Sequence, residues 1–108
     1  MKIEKIEKLA QKGKFEKLIS IAEGKDIEMA KAAISALGTI RKDESFNFLV
    51  VALRNPNKEI RLAAIEAMGN IGMDRGRTHL RHLADTETDE DIVAAAREAA
   101  NKLMNAKF

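Results

Sequence analysis

Apolar positions recur along the chain at helical spacing. Met29, Ala32, Ala33, Ala36, Leu37 and Ile40 fall at i, i+3, i+4, i+7, i+8 and i+11, one stripe down one side of a helix. The stripe then returns. DIEMAKAAISALGTI (Asp26 to Ile40) laid over NKEIRLAAIEAMGNI (Asn57 to Ile71) matches Ala32 with Ala63, Ala33 with Ala64, Ile34 with Ile65, Ala36 with Ala67, Gly38 with Gly69 and Ile40 with Ile71, always at an offset of 31. A third copy, DEDIVAAAREAANKL (Asp89 to Leu103), follows at 32 and matches Ile60 with Ile92, Ala64 with Ala96, Glu66 with Glu98 and Ile71 with Leu103. The extra residue falls in the polar run Asp85 to Asp89. A weaker repeat lies between the copies: Phe15, Leu18 and Ile21 stand 31 before Phe46, Leu49 and Ala52, and Leu49 stands 31 before Leu80. Ile3, Ile6 and Leu9 likewise precede Ile34, Leu37 and Ile40 by 31.

Punctuation agrees with that period. Asp26, Asn57 and Asp89 each stand where a helix N-cap would accept backbone N–H groups, behind the turn-like stretches EGKD, NPN and TETDED. The pattern predicts seven helices, at about 2–12, 14–23, 26–41, 43–54, 57–72, 74–85 and 89–105. A helical pair alone leaves its stripe exposed, whereas stacked pairs bury a continuous core between atypical end units. The whole chain, 1–108, therefore reads as one all-α domain: a capping helix over 1–13 and two-helix repeats over 14–41, 42–72 and 73–108. Lys2, Lys5, Lys8 and Lys12 around Ile3, Ile6 and Leu9 suit the capping role. Gly38 and Gly69 recur at one register inside helices, where Gly costs about 1 kcal/mol relative to Ala, so they are expected to permit a close helix approach.

The segment NKEIRLAAIEAMGNIG (Asn57 to Gly72) and its two copies resemble the second helix of HEAT repeats, especially the short HEAT-like repeats of the phycobilisome lyase type. The resemblance implies a right-handed α-α superhelix, an armadillo-type solenoid, and for most members a scaffolding role. Asn57 replaces the family's turn Asp, and the family's Arg is kept only at Arg61, with Ala30 and Val93 at the other copies. That Asp and Arg tend to bond between neighbouring repeats in the family, so at most one such link is implied here, around Arg61.

Composition narrows the picture. Seventeen Ala, three Val and a single proline, Pro56, favour packed helices over strands. The absence of Cys excludes disulfide frameworks and thiolate metal sites, and the absence of Trp and Tyr removes two common binding anchors. Apolar runs such as Leu49 to Leu53 are far below the roughly 20 residues that span a bilayer. The start, MKIEKIEKLAQKGK, is unlike a signal peptide. A small, soluble, cytoplasmic protein is expected.

Catalytic chemistry finds little support. A nucleophile needs a base within reach, and the chain has Ser only at 20, 35 and 45. His79 and His82, three residues apart, read as solvated surface residues; GNIGMDRG reads as a helix terminator and turn, because no strand precedes it and GK[ST] is missing. The acidic run Asp85, Glu87, Asp89, Glu90 and Asp91 reads as a helix N-terminal bias. No enzyme activity, metal or cofactor is implied.

Charge distribution carries more than the net of +2. HEAT-like solenoids line their concave side with second helices. The solvent-facing positions of those helices are Glu28, Lys31, Ser35 and Thr39; Glu59, Leu62, Glu66 and Asn70; Asp91, Ala94, Glu98 and Lys102; with Glu4 and Lys8 from the first helix. Six carboxylates against three lysines make that surface mildly acidic. The leading reading is a non-enzymatic interaction module or scaffold that binds a protein segment, basic or helical, along Glu28, Lys31, Ser35, Glu59, Leu62, Glu66, Asp91 and Glu98. An alternative is nucleic-acid or polyanion binding through Lys12, Lys14, Lys17, Arg75, Arg77 and Arg81. A further alternative, an accessory subunit of a lyase-like enzyme, rests on the resemblance alone. The Ala-rich last helix, with Leu103, Met104 and Phe108, leaves a monomer and a weak end-to-end dimer both open.

Overall fold

The structure, a computed structural model, describes residues 3–105. Helices α1 (Ile3–Gln11), α2 (Phe15–Ala22), α3 (Ile27–Leu37), α4 (Asp43–Ala52), α5 (Lys58–Ile71), α6 (Gly76–Thr86) and α7 (Glu90–Asn105) follow one another, and no strand occurs among the described residues. The predicted start at residue 2 and the expected contribution of Phe108 lie outside them.

Local chemistry sets the helix ends. Asp26 accepts the Met29 N–H at 3.2 Å, Asn57 that of Ile60 at 3.1 Å, and Asp89 those of Asp91 and Ile92 at 2.9 and 3.3 Å; each bond satisfies a donor that a helix start leaves free. The largest difference from the expected boundaries is at the end of α3, which closes at Leu37 instead of near residue 41. Thr39 and Ile40 donate to the carbonyls three residues back, at 3.0 and 3.1 Å, and the Thr39 hydroxyl takes the Ala36 carbonyl at 2.6 Å, so the last turn tightens and stops. α5 runs further and ends at Gly72, whose φ of +70° is the left-handed conformation glycine adopts without strain.

The 31-residue offset becomes a two-layer stack. α2 packs on α3, α4 on α5 and α6 on α7; α3, α5 and α7 then pack side by side, with α1 laid against α3 at the leading end. This is an all-α helical repeat solenoid. Equivalent positions meet equivalent fates: Leu18, Leu49 and Leu80 are each fully buried, as are Ala33, Ala64 and Ala96. Truncating such a leucine to Ala costs about 2–5 kcal/mol.

Small residues set the spacing of the α3–α5–α7 layer. A Cβ on Gly38 would lie 3.0 Å from the Cα and Cβ of Ala67, and one on Gly69 would lie 3.2 Å from the Ala99 Cβ. At the next register the pattern breaks: Ile34 and Ile65 are followed by Arg97, and Gly38 and Gly69 by Asn101, both exposed. No helix among the described residues is long and apolar enough to cross a membrane.

Candidate functional site

Three grooves cross the open face of the α1–α3–α5–α7 layer. The first, of about 510 Å³ between α1 and α3, is lined mainly by Ile3, Ile6, Ala10, Ala32 and Ala36, with Glu7 its one charged residue. Ile3 is 45% exposed there. The second, about 400 Å³ between α3 and α5, brings together Glu28, Lys31, Ser35, Glu59, Leu62 and Glu66 over a floor of Ala32 and Ala63. The third, about 420 Å³ between α5 and α7, places Glu66 and Glu98 on either side of Leu62, Gly69, Ala95 and Ala99, with Asn70 and Lys102 also on its wall. Ile3, Ala32 and Ser35 belong to the first two grooves, and Leu62 and Glu66 to the last two, so the surface is continuous.

Seven of the eight residues expected to face a partner therefore line these grooves. Asp91 does not. It accepts Lys58 Nζ at 2.7 Å, beside a second contact of that lysine with Asp89 at 3.0 Å, and so ties the start of α5 to the start of α7.

Pairing redistributes the charge of the face. Lys31 Nζ reaches Glu59 at 3.3 Å and Glu28 at 3.6 Å, and the bond to Glu59 holds the Lys31 ammonium above its usual pKa. Lys58 is raised likewise, first by its bond to Asp91 and then by that to Asp89, while Asp89 is lowered chiefly by Lys58. Lys102 donates to Asn70 Oδ1. Among the described residues Glu66 and Glu98 have no cationic partner within salt-bridge range, while Glu28 and Glu59 share the one ammonium of Lys31, so both the α3–α5 and the α5–α7 grooves keep an acidic excess.

The inter-repeat links differ from those the resemblance implied. Arg61 donates from Nη1 to the Asn55 and Pro56 carbonyls at 3.1 and 3.2 Å, within its own unit, while the turn aspartates of the neighbouring units are engaged elsewhere, Asp26 as the α3 cap and Asp89 by Lys58 and the start of α7. Repeats are joined instead by Lys31 to Glu59, Lys58 to Asp89 and Asp91, Arg75 to Asp43 at 2.6 Å, and Arg41 to the Gly72 carbonyl at 3.0 Å. Sequence reasoning missed Lys58, Arg41 and Asp43 as linkers. The signal was present, since complementary groups about one repeat apart meet when units stack at constant offset.

The basic residues of the alternative reading do not form one patch. Lys12 follows α1, Lys14 precedes α2 and Lys17 lies on α2, which packs on α1, α3 and α4; Arg75, Arg77 and Arg81 sit at α6, which packs on α5 and α7. Arg75 is held by Asp43, with its guanidinium 4.5 Å from the Phe46 ring centre, and Arg77 Nε pairs with Asp74 at 2.9 Å. Lys12, Lys14, Lys17 and Arg81 remain exposed. His79 is half-buried, its ring edge-on to Phe46 at 5.8 Å, rather than fully solvated; His82 is exposed.

A family model described as HEAT repeats matches residues 15–101. No curated protein matches the chain.

Proposed function

Because the chain belongs to the HEAT-repeat family, we propose that it is a non-enzymatic interaction module that holds a segment of another protein along the open face of α1, α3, α5 and α7. HEAT repeats are commonly protein-interaction scaffolds, and their second helices line the concave side. One observation carries the reading here: three grooves join into a single surface across the four helices α1, α3, α5 and α7, over a floor rich in alanine. Stacked repeats offer such extended surfaces because each unit contributes one strip. The ligand lies along Glu28, Lys31, Ser35, Glu59, Leu62, Glu66 and Glu98, and Asp91 serves the α5–α7 link.

Polyanion binding is the weaker reading. Sequence-independent phosphate binding needs Lys and Arg free to neutralise phosphates, and two of the six candidates are committed to carboxylates in the fold. The test is to replace Glu59 and Glu66 by Lys and repeat an affinity capture from lysate. Loss of a protein recovered by the unaltered chain is the expected result; undiminished recovery contradicts this placement of the site.

A further inference from the structure

The open face has two chemically different ends. Its α1–α3 groove is apolar, with Ile3 and Ile6 exposed to or lining it. Its α5–α7 groove carries two carboxylates that no salt bridge engages among the described residues, Glu66 and Glu98, against one, Glu7, at the apolar end. Lys102 shares that groove, yet its ammonium is directed to the Asn70 amide oxygen. Between the two ends, the single ammonium of Lys31 is shared by Glu28 and Glu59, so the middle strip stays acidic but its carboxylates already hold a cation.

We infer that the occupant is an amphipathic basic helix laid across the layer in one direction, an aliphatic or aromatic side chain in the α1–α3 groove and Lys or Arg side chains between Glu66 and Glu98. This deepens the proposed function and rests on it. Packed helices stand roughly 8–10 Å apart, so the outer grooves are separated by about 16–20 Å. A ligand helix rising 1.5 Å per residue covers that distance in about 11–13 residues. Two turns advance about 10 Å and return a side chain to the same side, which matches the step from one groove to the next. The (CH₂) stem of Lys or Arg suits a floor of Leu62, Ala95 and Ala99, while its head meets the carboxylates. A basic segment is selected over an acidic one because the carboxylates repel like charge, which is how complementary charge fixes register and partner choice.

The experiment is selection of a phage-displayed library of random 18-residue peptides on the full chain, followed by anisotropy titration of the enriched peptides. Expected is enrichment of an apolar residue separated by about 11–13 positions from Lys or Arg, with helical circular dichroism gained on binding. Neutralising both carboxylates (Glu66→Gln with Glu98→Gln) should then weaken binding about 10-fold, as two partly exposed ion pairs allow, and Ile3→Ser should weaken it by acting at the other end. Peptides that lose binding to Leu62→Arg but show no basic preference, or no such spacing, overturn this inference and leave the open-face reading standing. Peptides indifferent to Leu62→Arg, or no enrichment, overturn both.

Discussion

Gly38 and Ala67 touch so closely that a methyl group on the glycine would sit 3.0 Å from both the Cα and the Cβ of the alanine and 3.1 Å from its carbonyl oxygen. Two of those atoms are backbone of α5, so relief requires the helices to part. Gly38→Ala is expected to destabilise the protein by about 1–3 kcal/mol, the usual range for overpacking. Gly69→Ala meets the Ala99 Cβ at 3.2 Å and lies inside α5, where the helical preference of Ala returns about 1 kcal/mol. It should therefore be the milder change. Urea unfolding midpoints check the order; a Gly38→Ala variant as stable as the parent contradicts it.

Asn57→Ala removes the side chain that accepts the Ile60 N–H. A loss of about 1 kcal/mol is expected, as for other N-cap deletions, with Asn57→Asp close to the parent. Thermal unfolding of the three proteins provides the comparison. An Asp variant as damaged as the Ala variant would show that the cap bond is not the cause.

The Lys58–Asp89 link predicts a pH dependence with a definite sign. The folded Asp89 pKa is lowered from 3.8, so its contribution is complete above that value and is lost as pH falls through the lowered one. The folded Lys58 pKa is raised from 10.5, so its contribution is present below that value and is lost as pH rises through the raised one. Asp89→Asn, which keeps an oxygen to cap α7, should flatten the fall in stability below pH 3.8, and Lys58→Gln the fall above 10.5. Denaturant midpoints across both ranges measure this; parallel curves for parent and variants contradict it.

Much of this was legible in the sequence, and the legible part has a common cause. A fixed offset forces the same packing problem on each unit, so the stripes, the caps at Asp26, Asn57 and Asp89, and the paired contacts of Gly38 and Gly69 all follow from the period. What escaped was decided by side-chain geometry between units. Asp91 read as a surface carboxylate because the reach of Lys58 from the neighbouring helix is invisible along the chain. Arg61 matched a family pattern, but the turn aspartates of the neighbouring units cap their own helices and Asp89 also holds Lys58, so it turned to the carbonyls nearest its own stem. The end of α3 was misplaced because Gly38, Thr39 and Ile40 continue the apolar spacing after the backbone has tightened into a turn.

The break in register at α7 bears on assembly. Arg97 and Asn101 occupy the positions at which the preceding units carry the buried Ile34 and Ile65 and the closely packed Gly38 and Gly69. A charged, bulkier edge opposes docking of a further helix, so the chain should sediment as a monomer. Arg97→Ile with Asn101→Gly recreates the stacking edge and should induce self-association. Sedimentation velocity over a range of concentrations reads both; a parent that dimerises and a double variant that does not would contradict the account.

The most direct test of the central claim places one charge on each layer. Leu62 is half-buried at the junction of two grooves on the open face, while Val51, 70% exposed, lies on α4 of the other layer. Affinity capture from nuclease-treated lysate should be run side by side with the parent, Leu62→Arg and Val51→Arg, each shown by circular dichroism to be folded. The account predicts a protein retained by the parent and by Val51→Arg and lost from Leu62→Arg. Retention by Leu62→Arg with loss from Val51→Arg, or recovery that vanishes with nuclease, would contradict it.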